Sequence, residues 1–245
     1  RAVTCGTDSA AHISCSWQAV ADIQPHMLNF LENHDEQRLA SDFFAADAQK
    51  GKAGMIVASC MNTKPVMIYA GQELGERGMD AEGFSGRDGR TTIFDYWHVD
   101  TLGRWYHQGK IGHALLTTEE QELQQFYSKL LNACLHEKAL SKGLFFDLMY
   151  ANMEGGCLDP HRQYVFLRAY EDEAVLVVAN FSDQARAVAI NLPQHAFDYL
   201  QLEPNSQCEA VDLLTNETET ICVSPDQPVE IYVTPWGGKL LKFKR

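Results

Sequence analysis

Three polar residues in succession, Asn33, His34 and Asp35, follow a short apolar run over residues 26–31. Catalytic side chains of α/β barrels collect where a strand ends, and a carboxylate there can stabilise developing positive charge or orient a hydroxyl group. An adjacent imidazole adds a further polar contact. The alternative is that Asp35 caps a helix that begins at Glu36, since Asp is a favoured N-cap residue.

A second group of polar residues lies in the glycine-rich segment 71–90, which shows no periodicity. A long irregular loop in a compact domain is typically a binding loop or disordered, and the aromatic residues that follow it argue against disorder. Carboxylates, guanidinium groups and rings together suit a neutral polyhydroxylated ligand. The alternative is a solvated loop held by its own ion pairs. The residues are Glu73, Glu76, Asp80, Glu82, Asp88, Arg77, Arg87 and Arg90, then Phe94, Asp95, Tyr96, Trp97, Trp105 and Tyr106.

The elements that would position these residues read as strand, helix and strand. Residues 26–31 and 64–69 are short apolar runs typical of buried strands, and residues 46–61 between them have helical spacing. This order predicts a parallel sheet. A short helix is also predicted near residues 17–22.

The second half of the chain has a different pattern. Thr117 and Glu120 form a capping-box sequence, followed by a helical apolar stripe that ends near Gly143. Short β-rich runs separated by turn residues follow, with no helix predicted between them, which indicates an antiparallel sandwich. The runs are residues 144–150, 163–170, 174–181, 186–192, 208–214, 219–223, 228–234 and 239–244.

Composition limits the partners of the chain. The 245 residues include 20 Lys and Arg and 33 Asp and Glu, which gives a net charge of −13. Such a surface repels nucleic acid and anionic membranes. No signature of a metal or nucleotide site is present. Seven cysteines without a C-x-x-C pair indicate buried free thiols, which favours a reducing, cytoplasmic compartment.

Two segments carry a resemblance to a known family. FLENHDEQR (residues 30–38) resembles the F-x-x-N-H-D motif that ends the seventh barrel strand of the α-amylase family, glycoside hydrolase family thirteen. PVMIYAGQELG (residues 65–75) resembles the eighth strand of that family, P-x-I-Y-Y-G-x-E. Residues 87–91 are similar to the R-D-x-x-R-T loop of its α-glucosidase branch, although one residue shorter. The strand-rich tail is similar to the β-sandwich that follows the barrel.

The resemblance implies a fold of class α/β followed by β. Residues 1–143 would be the C-terminal portion of a TIM (β/α)8 barrel, its last two strands and helices, and residues 144–245 a C-terminal sandwich domain. In the family, the nucleophile and the general acid lie at the ends of strands four and five, upstream of N-H-D. Only 32 residues precede Asn33, and they contain no G-x-R-x-D. We therefore expect a C-terminal fragment that lacks six barrel strands.

The resemblance also assigns roles to individual residues. Asp35 would be the catalytic carboxylate that stabilises the oxocarbenium-like transition state, and His34 would hydrogen-bond the sugar. Asn33 would hold the turn, and Glu73 would form part of the cleft wall. Arg87 and Arg90 would contact substrate. No metal ligand and no cofactor is evident in the chain, although calcium is common in full-length enzymes of the family.

The expected function is therefore part of a retaining glycosidase that acts on starch, maltooligosaccharides or other α-glucans, with the chain alone inactive. The expected partners are the α-glucan substrate and either the missing barrel half or a second copy of the chain. The alternative is a non-catalytic sugar-binding or scaffold protein derived from an amylase barrel. Its binding would depend on Tyr96, Trp97 or Trp105.

Overall fold

The fold is known from a computed structural model that describes residues 1–80, 87–94, 98–154 and 156–245. Within these ranges, no helix is both long enough and apolar enough to cross a bilayer. The helices are α1 (His12–Ala19), α2 (Gly51–Cys60), α3 (Asp100–Trp105), α4 (Thr118–His136), α5 (Lys138–Ser141) and α6 (Gln194–Leu200). Short 3-10 turns cover Gln24–His26, Ala48–Lys50, Gln72–Leu74 and Met149–Ala151.

The strands form antiparallel sheets. A small hairpin of β1 (Tyr106–His107) and β2 (Lys110–Ile111) precedes α4. A six-stranded sheet has the order β3-β4-β5-β10-β7-β8, and a two-stranded sheet pairs β6 with β9. The remaining strands are β3 (Leu144–Asp147), β4 (Gln163–Tyr170), β5 (Glu173–Asn180), β6 (Arg186–Ile190), β7 (Asn205–Asp212), β8 (Thr218–Val223), β9 (Val229–Val233) and β10 (Gly238–Lys244).

All eight predicted β-rich runs become strands of these sheets. The prediction that no helix interrupts them is wrong, because α6 lies between β6 and β7. Its apolar residues Ala196, Phe197 and Leu200 share the helical spacing that buries them in the core. The N-terminal helix α1 also begins five residues earlier than the predicted start at Trp17.

Strands β4 and β5 lie at the centre of the fold and are buried on both faces. One face packs on the two-stranded sheet, and the other packs on α2 and α5. Both layers belong to one hydrophobic core. Burial on two faces explains why residues 174–179 of β5 are an uninterrupted apolar run, whereas β9 alternates buried and exposed residues.

Arg168 of β4 joins the sheet to the helices. Its buried guanidinium group donates to the carbonyl oxygens of Met61 and Gly143 over 2.8 and 2.7 Å. It also donates to the carbonyl oxygens of Ala139 and Leu140 over 3.2 and 3.3 Å. These four carbonyl groups follow α2 or belong to α5 and the turn after it, so one side chain satisfies the backbone where both helical segments meet the sheet.

The two segments predicted as buried parallel strands form no regular strand: His26 belongs to a 3-10 turn, and the extended remainder is paired at one position among the described residues. One parallel bridge joins Asn29 to Val66. Asn29 donates to the Pro65 carbonyl oxygen and accepts from the amide of Met67. The prediction of burial is wrong for both segments, because no residue of 26–31 or 64–69 is buried, and Leu28 and Phe30 are exposed.

The cysteines are unpaired, as the sequence indicates, but the prediction that they are buried is wrong in part. All seven are free thiols, and Cys5, Cys15 and Cys157 are exposed. The Sγ atoms of Cys60 and Cys134 lie 3.6 Å apart between α2 and α4. Burial is the main cause that raises the pKa of Cys60, which keeps that thiol protonated.

The capping box predicted at Thr117 is confirmed. Thr117 Oγ1 accepts from the amide of Glu120 over 3.2 Å, and Glu120 Oε2 accepts from the amide of Thr117 over 2.8 Å. We expect Thr117→Ala to lower the free energy of unfolding by about 1 kcal/mol, the usual cost of a lost N-cap. The neighbouring exposed Thr118→Ala should leave stability unchanged or slightly raised. Urea denaturation compares the two, and equal effects would contradict this role of Thr117.

Candidate active site

The predicted catalytic residue Asp35 and the predicted substrate-binding residue His34 lie on a turn held by Asn33. Its Oδ1 atom accepts from the amides of Asp35 and Glu36, each over 3.0 Å. No helix begins at Glu36 in this described segment, so the alternative that Asp35 is an N-cap residue is wrong. The turn presents two side chains to solvent: His34 is 42% exposed and Asp35 is 76% exposed. His34 Nε2 lies 3.5 Å from Asp35 Oδ1.

A buried ion pair between Glu32 and Arg38 flanks this turn. Arg38 Nη1 donates to Glu32 Oε2 over 2.9 Å, and both side chains are almost completely buried. Glu32 Oε1 accepts from the amide of Leu39 over 2.6 Å. Burial raises the pKa of Glu32, and the positive charge of Arg38 is the largest effect that opposes this rise. Glu32 and Arg38 therefore flank the His34–Asp35 turn in the sequence, and each stabilises the buried charge of the other.

Arg38 also holds three chain segments together. Its Nη2 atom donates to the Ala70 carbonyl oxygen over 2.6 Å, and its Nε atom donates to Thr91 Oγ1 over 2.8 Å. The guanidinium group lies over the ring of Tyr69 at 4.0 Å. Tyr69 in turn donates to the Thr91 carbonyl oxygen over 2.8 Å. The end of the first extended segment is thereby tied to the end of the second and to the segment 87–91.

Sequence reasoning assigned no role to Glu32 or Arg38, although both lie in the motif around Asp35. The available signal was a pair of opposite charges six residues apart, at the end of an apolar run. Each residue flanks the exposed turn, and charged side chains in such a setting are buried only when paired. The sequence could not show that they point inward while His34 and Asp35 point outward.

The other predicted site residues occupy different surroundings. Glu73 is half-buried on the 3-10 turn after Gly71, and its Oε2 atom has no hydrogen-bond partner among the described residues. Arg87 is exposed and donates to the Met79 carbonyl oxygen over 2.6 Å. Arg90 is half-buried, and its Nε atom is likewise unpartnered within the described ranges. Arg38 links the segment of Arg87 and Arg90 to the turn of Asp35, because its amide donates to the Gly89 carbonyl oxygen over 2.6 Å and its Nε atom donates to Thr91.

Buried Glu76 anchors the described part of the glycine-rich loop. Its Oε1 atom accepts from the amide of Gly78 over 2.8 Å, and its Oε2 atom accepts from the hydroxyl of Thr101. Gly78 and Gly89 both have positive φ, and a Cβ atom on Gly78 would lie 2.8 Å from the carbonyl carbon of Gly89. Only glycine allows these backbones to approach so closely. Glu82, Asp95, Tyr96 and Trp97 lie outside the described residues.

A cleft of about 680 Å3 opens beside Tyr69. Its wall is mainly apolar and includes Phe94, Leu102 and Tyr106, with Arg38 and His98 as polar groups. Asp35 and His34 do not line it. In the described ranges, no group of three or more His, Cys, Asp or Glu residues is placed to hold a metal ion. The site therefore combines the exposed His34–Asp35 turn with an apolar cleft that Arg38 lines.

Residues 158–239 match the domain family described as "Maltogenic Amylase, C-terminal domain". This match confirms the resemblance to the α-amylase family for the C-terminal part of the chain. The match lies in the antiparallel β domain, whose strands β4 to β9 it contains. No curated protein matches the chain by sequence.

Solved structures of α-amylases share this fold. A noncanonic maltogenic α-amylase from Thermotoga neapolitana aligns with a TM-score of 0.63 and 16% identity over 100% of this chain. An Anoxybacillus α-amylase aligns with a TM-score of 0.61 and 16% identity over 99% of this chain. The α-amylase of Geobacillus thermoleovorans complexed with acarbose aligns with a TM-score of 0.62 and 15% identity over 99% of this chain. The chain covers only 48%, 45% and 47% of these proteins. It therefore spans about half the length of the structures that it resembles.

Proposed function

We propose that this chain forms the C-terminal part of a retaining α-glucan hydrolase, with Asp35 as the carboxylate that stabilises the transition state. The observation that carries the proposal is the parallel bridge between Asn29 and Val66. It supports an arrangement in which the segments with the two family motifs run side by side, as neighbouring barrel strands do. Their ends then lie at the same edge, where barrel enzymes hold their catalytic groups.

The geometry of the turn suits the role proposed for Asp35. Its carboxylate is exposed and its backbone is fixed by Asn33, so it can approach a sugar ring without reorganisation. The oxocarbenium-like transition state carries positive charge, which a carboxylate stabilises more strongly than it stabilises the neutral substrate. His34 lies beside Asp35 and would donate a hydrogen bond to a sugar hydroxyl.

The remaining chemistry would come from upstream barrel strands. Retaining hydrolysis requires two carboxyl groups about 5–5.5 Å apart, one as nucleophile and one as acid and base. If the chain follows the family pattern, both would lie upstream of Asn33. Any calcium ion of the complete enzyme would also be held mainly by upstream residues.

The upstream strands are the partner that the extended segments fit. Leu28 and Phe30 are exposed, whereas Leu31, Val66 and Ile68 on the other face pack against the core. The described residues form no hydrogen bond to the backbone of Leu28 or Phe30. Open backbone edges and apolar side chains favour addition of a further strand, or association of two copies of the chain in its absence.

The proposal is tested by measuring reducing-end release from maltoheptaose. We expect no turnover from the chain alone, because it would supply one of three catalytic carboxylates. Fusion or co-expression with the first six strands of an α-amylase barrel should produce turnover. Activity of the chain alone that is lost in Asp35→Asn would overturn the inferred need for upstream residues. Absence of activity in every soluble, folded reconstitution would overturn the proposed function.

A non-catalytic sugar-binding role is the second candidate. The cleft beside Tyr69 favours it, since aromatic rings line an accessible apolar space. Maltoheptaose binding without turnover after reconstitution, weakened by Tyr106→Ala, would support this second role over hydrolysis.

A further inference from the structure

A separate cleft lies between α1 and the start of the β domain. It has a volume of about 430 Å3, within the usual range for small-molecule sites. It shares no residue with the His34–Asp35 turn or with the cleft beside Tyr69. Its lining includes His12, Ser14, Gln18, Asp147, Tyr150 and His161.

Aromatic side chains continue from this cleft across the surface. Tyr150 lines the cleft, and its ring centroid lies 6.2 Å from that of Phe146 in β3. Phe146 lies 5.9 Å from Tyr199 of α6. Tyr150 and Tyr199 are 57% and 54% exposed. Two solvent-facing tyrosines therefore flank one half-buried phenylalanine, on elements that the packed β domain holds in place.

A fixed polar group lies beside this aromatic surface. Asp147 Oδ2 accepts from the hydroxyl groups of Ser14 and Tyr164, and its Oδ1 accepts from the amide of Met149 over 2.8 Å. These three donors hold the carboxylate at one position in the cleft wall. A carboxylate has about four acceptor sites, so one remains for a ligand hydroxyl.

Two further polar side chains of the cleft are available to a ligand. The described residues form no hydrogen bond with the side chain of Gln18 or His161. An amide and an imidazole both donate and accept, which matches the hydroxyl groups of a sugar. The cleft and its adjoining surface thus offer two exposed tyrosine rings and three groups that can bind hydroxyl groups.

We propose that the surface formed by Tyr150, Tyr199 and the adjoining cleft is a non-catalytic binding site for an α-glucan chain. The choice of α-glucan as the sugar rests on the proposed function. Tyrosine rings offer flat apolar faces to the C–H groups of glucosyl rings, and Asp147, Gln18 and His161 bind hydroxyl groups at the ring edge. The net charge of −13 and the carboxylate in the wall disfavour an anionic ligand. The site would hold a long substrate on the same molecule that contains Asp35.

Isothermal titration of the chain with maltoheptaose tests this site. We expect saturable binding that Tyr150→Ala and Tyr199→Ala each weaken about fivefold to tenfold, a typical effect of losing one aromatic contact. Tyr232→Ala is the matched control, because Tyr232 of β9 is also 57% exposed and lies outside the cleft and its aromatic surface. That variant should bind as the unmodified chain does. Circular dichroism verifies that each variant is folded.

A double variant separates this inference from the proposed function. His34→Ala with Asp35→Ala should leave maltoheptaose binding at Tyr150 unchanged, even if hydrolysis proves wrong. Absence of binding at millimolar maltoheptaose would contradict the proposed binding site. So would a result in which the His34→Ala and Asp35→Ala double variant, and neither tyrosine variant, loses binding. Equal binding of cellohexaose, a β-linked glucan, would overturn the assignment of the ligand.

Discussion

Asp35→Asn is expected to lower kcat on maltoheptaose by about 10²- to 10³-fold in an enzyme reconstituted from this chain and six upstream barrel strands. Asn is nearly isosteric with Asp and can still bind hydroxyl groups, so KM should change little. The lost negative charge acts on the positive charge that develops in the transition state. Because Asp35 is 76% exposed and accepts no hydrogen bond from another described side chain, the substitution should leave the fold intact.

The matched control is Asp42→Asn. Asp42 is another exposed carboxylate of the same half of the chain, and it forms an ion pair with Arg77 over 2.7 Å. Its removal lowers the negative charge equally but should leave kcat within about twofold of the unmodified enzyme, since exposed ion pairs contribute little. Equal losses in both variants would show a general charge effect and contradict the role of Asp35. An increase in KM with unchanged kcat would indicate that Asp35 contributes to substrate binding alone.

Arg38→Met should lower the free energy of unfolding by about 3–5 kcal/mol, the range for one partner lost from a buried ion pair. The substitution leaves Glu32 buried beside no cation and removes the hydrogen bonds to Ala70 and Thr91. Guanidinium denaturation followed by circular dichroism measures the change. The exposed pair supplies the control, because Arg77→Met should cost less than about 1 kcal/mol.

A second substitution tests whether the buried charge causes the loss. Glu32→Gln in the Arg38→Met background removes that charge, while the amide oxygen can still accept from Leu39. The double variant should therefore regain a substantial part of the lost stability. If Arg38→Met costs no more than Arg77→Met, the ion pair does not stabilise the turn. Failure of the double variant to recover would assign the loss to the bonds with Ala70 and Thr91.

Elements with locally complete signals were predicted from the sequence. The helix from Thr118 carries its own capping box and apolar stripe, and the strands after Gly143 carry β-rich runs bounded by turns. Such signals need no knowledge of distant residues. Helix α6 was missed because its seven residues give only two turns of periodicity, between two strong strand signals.

The candidate site was predictable only in part, because its main contacts join residues that are far apart in the sequence. The order Asn33-His34-Asp35 indicates the exposed turn. The ion pair of Glu32 and Arg38 depends on the direction in which the two side chains point, which their spacing in the sequence does not show. Arg38 finds its other partners in Ala70 and Thr91, which are 32 and 53 residues away in sequence. The apolar run 26–31 indicated burial on both faces, whereas the described residues cover only one. Burial depends on neighbouring segments that a local pattern does not specify.

The packing of α2 and α5 against the central strands has a thermodynamic consequence. Through Arg168, the guanidinium group of one strand satisfies carbonyl groups of both helical segments, and the layers share a single core. Opening either layer alone would expose the apolar surface of the shared core and leave these carbonyl groups without partners. We therefore expect the helices and the sheet to unfold as one cooperative unit, although they differ in architecture. We expect the scaffold to which the Asp35 segment is attached to stay folded without the upstream barrel strands, which chemical denaturation of the chain alone would measure.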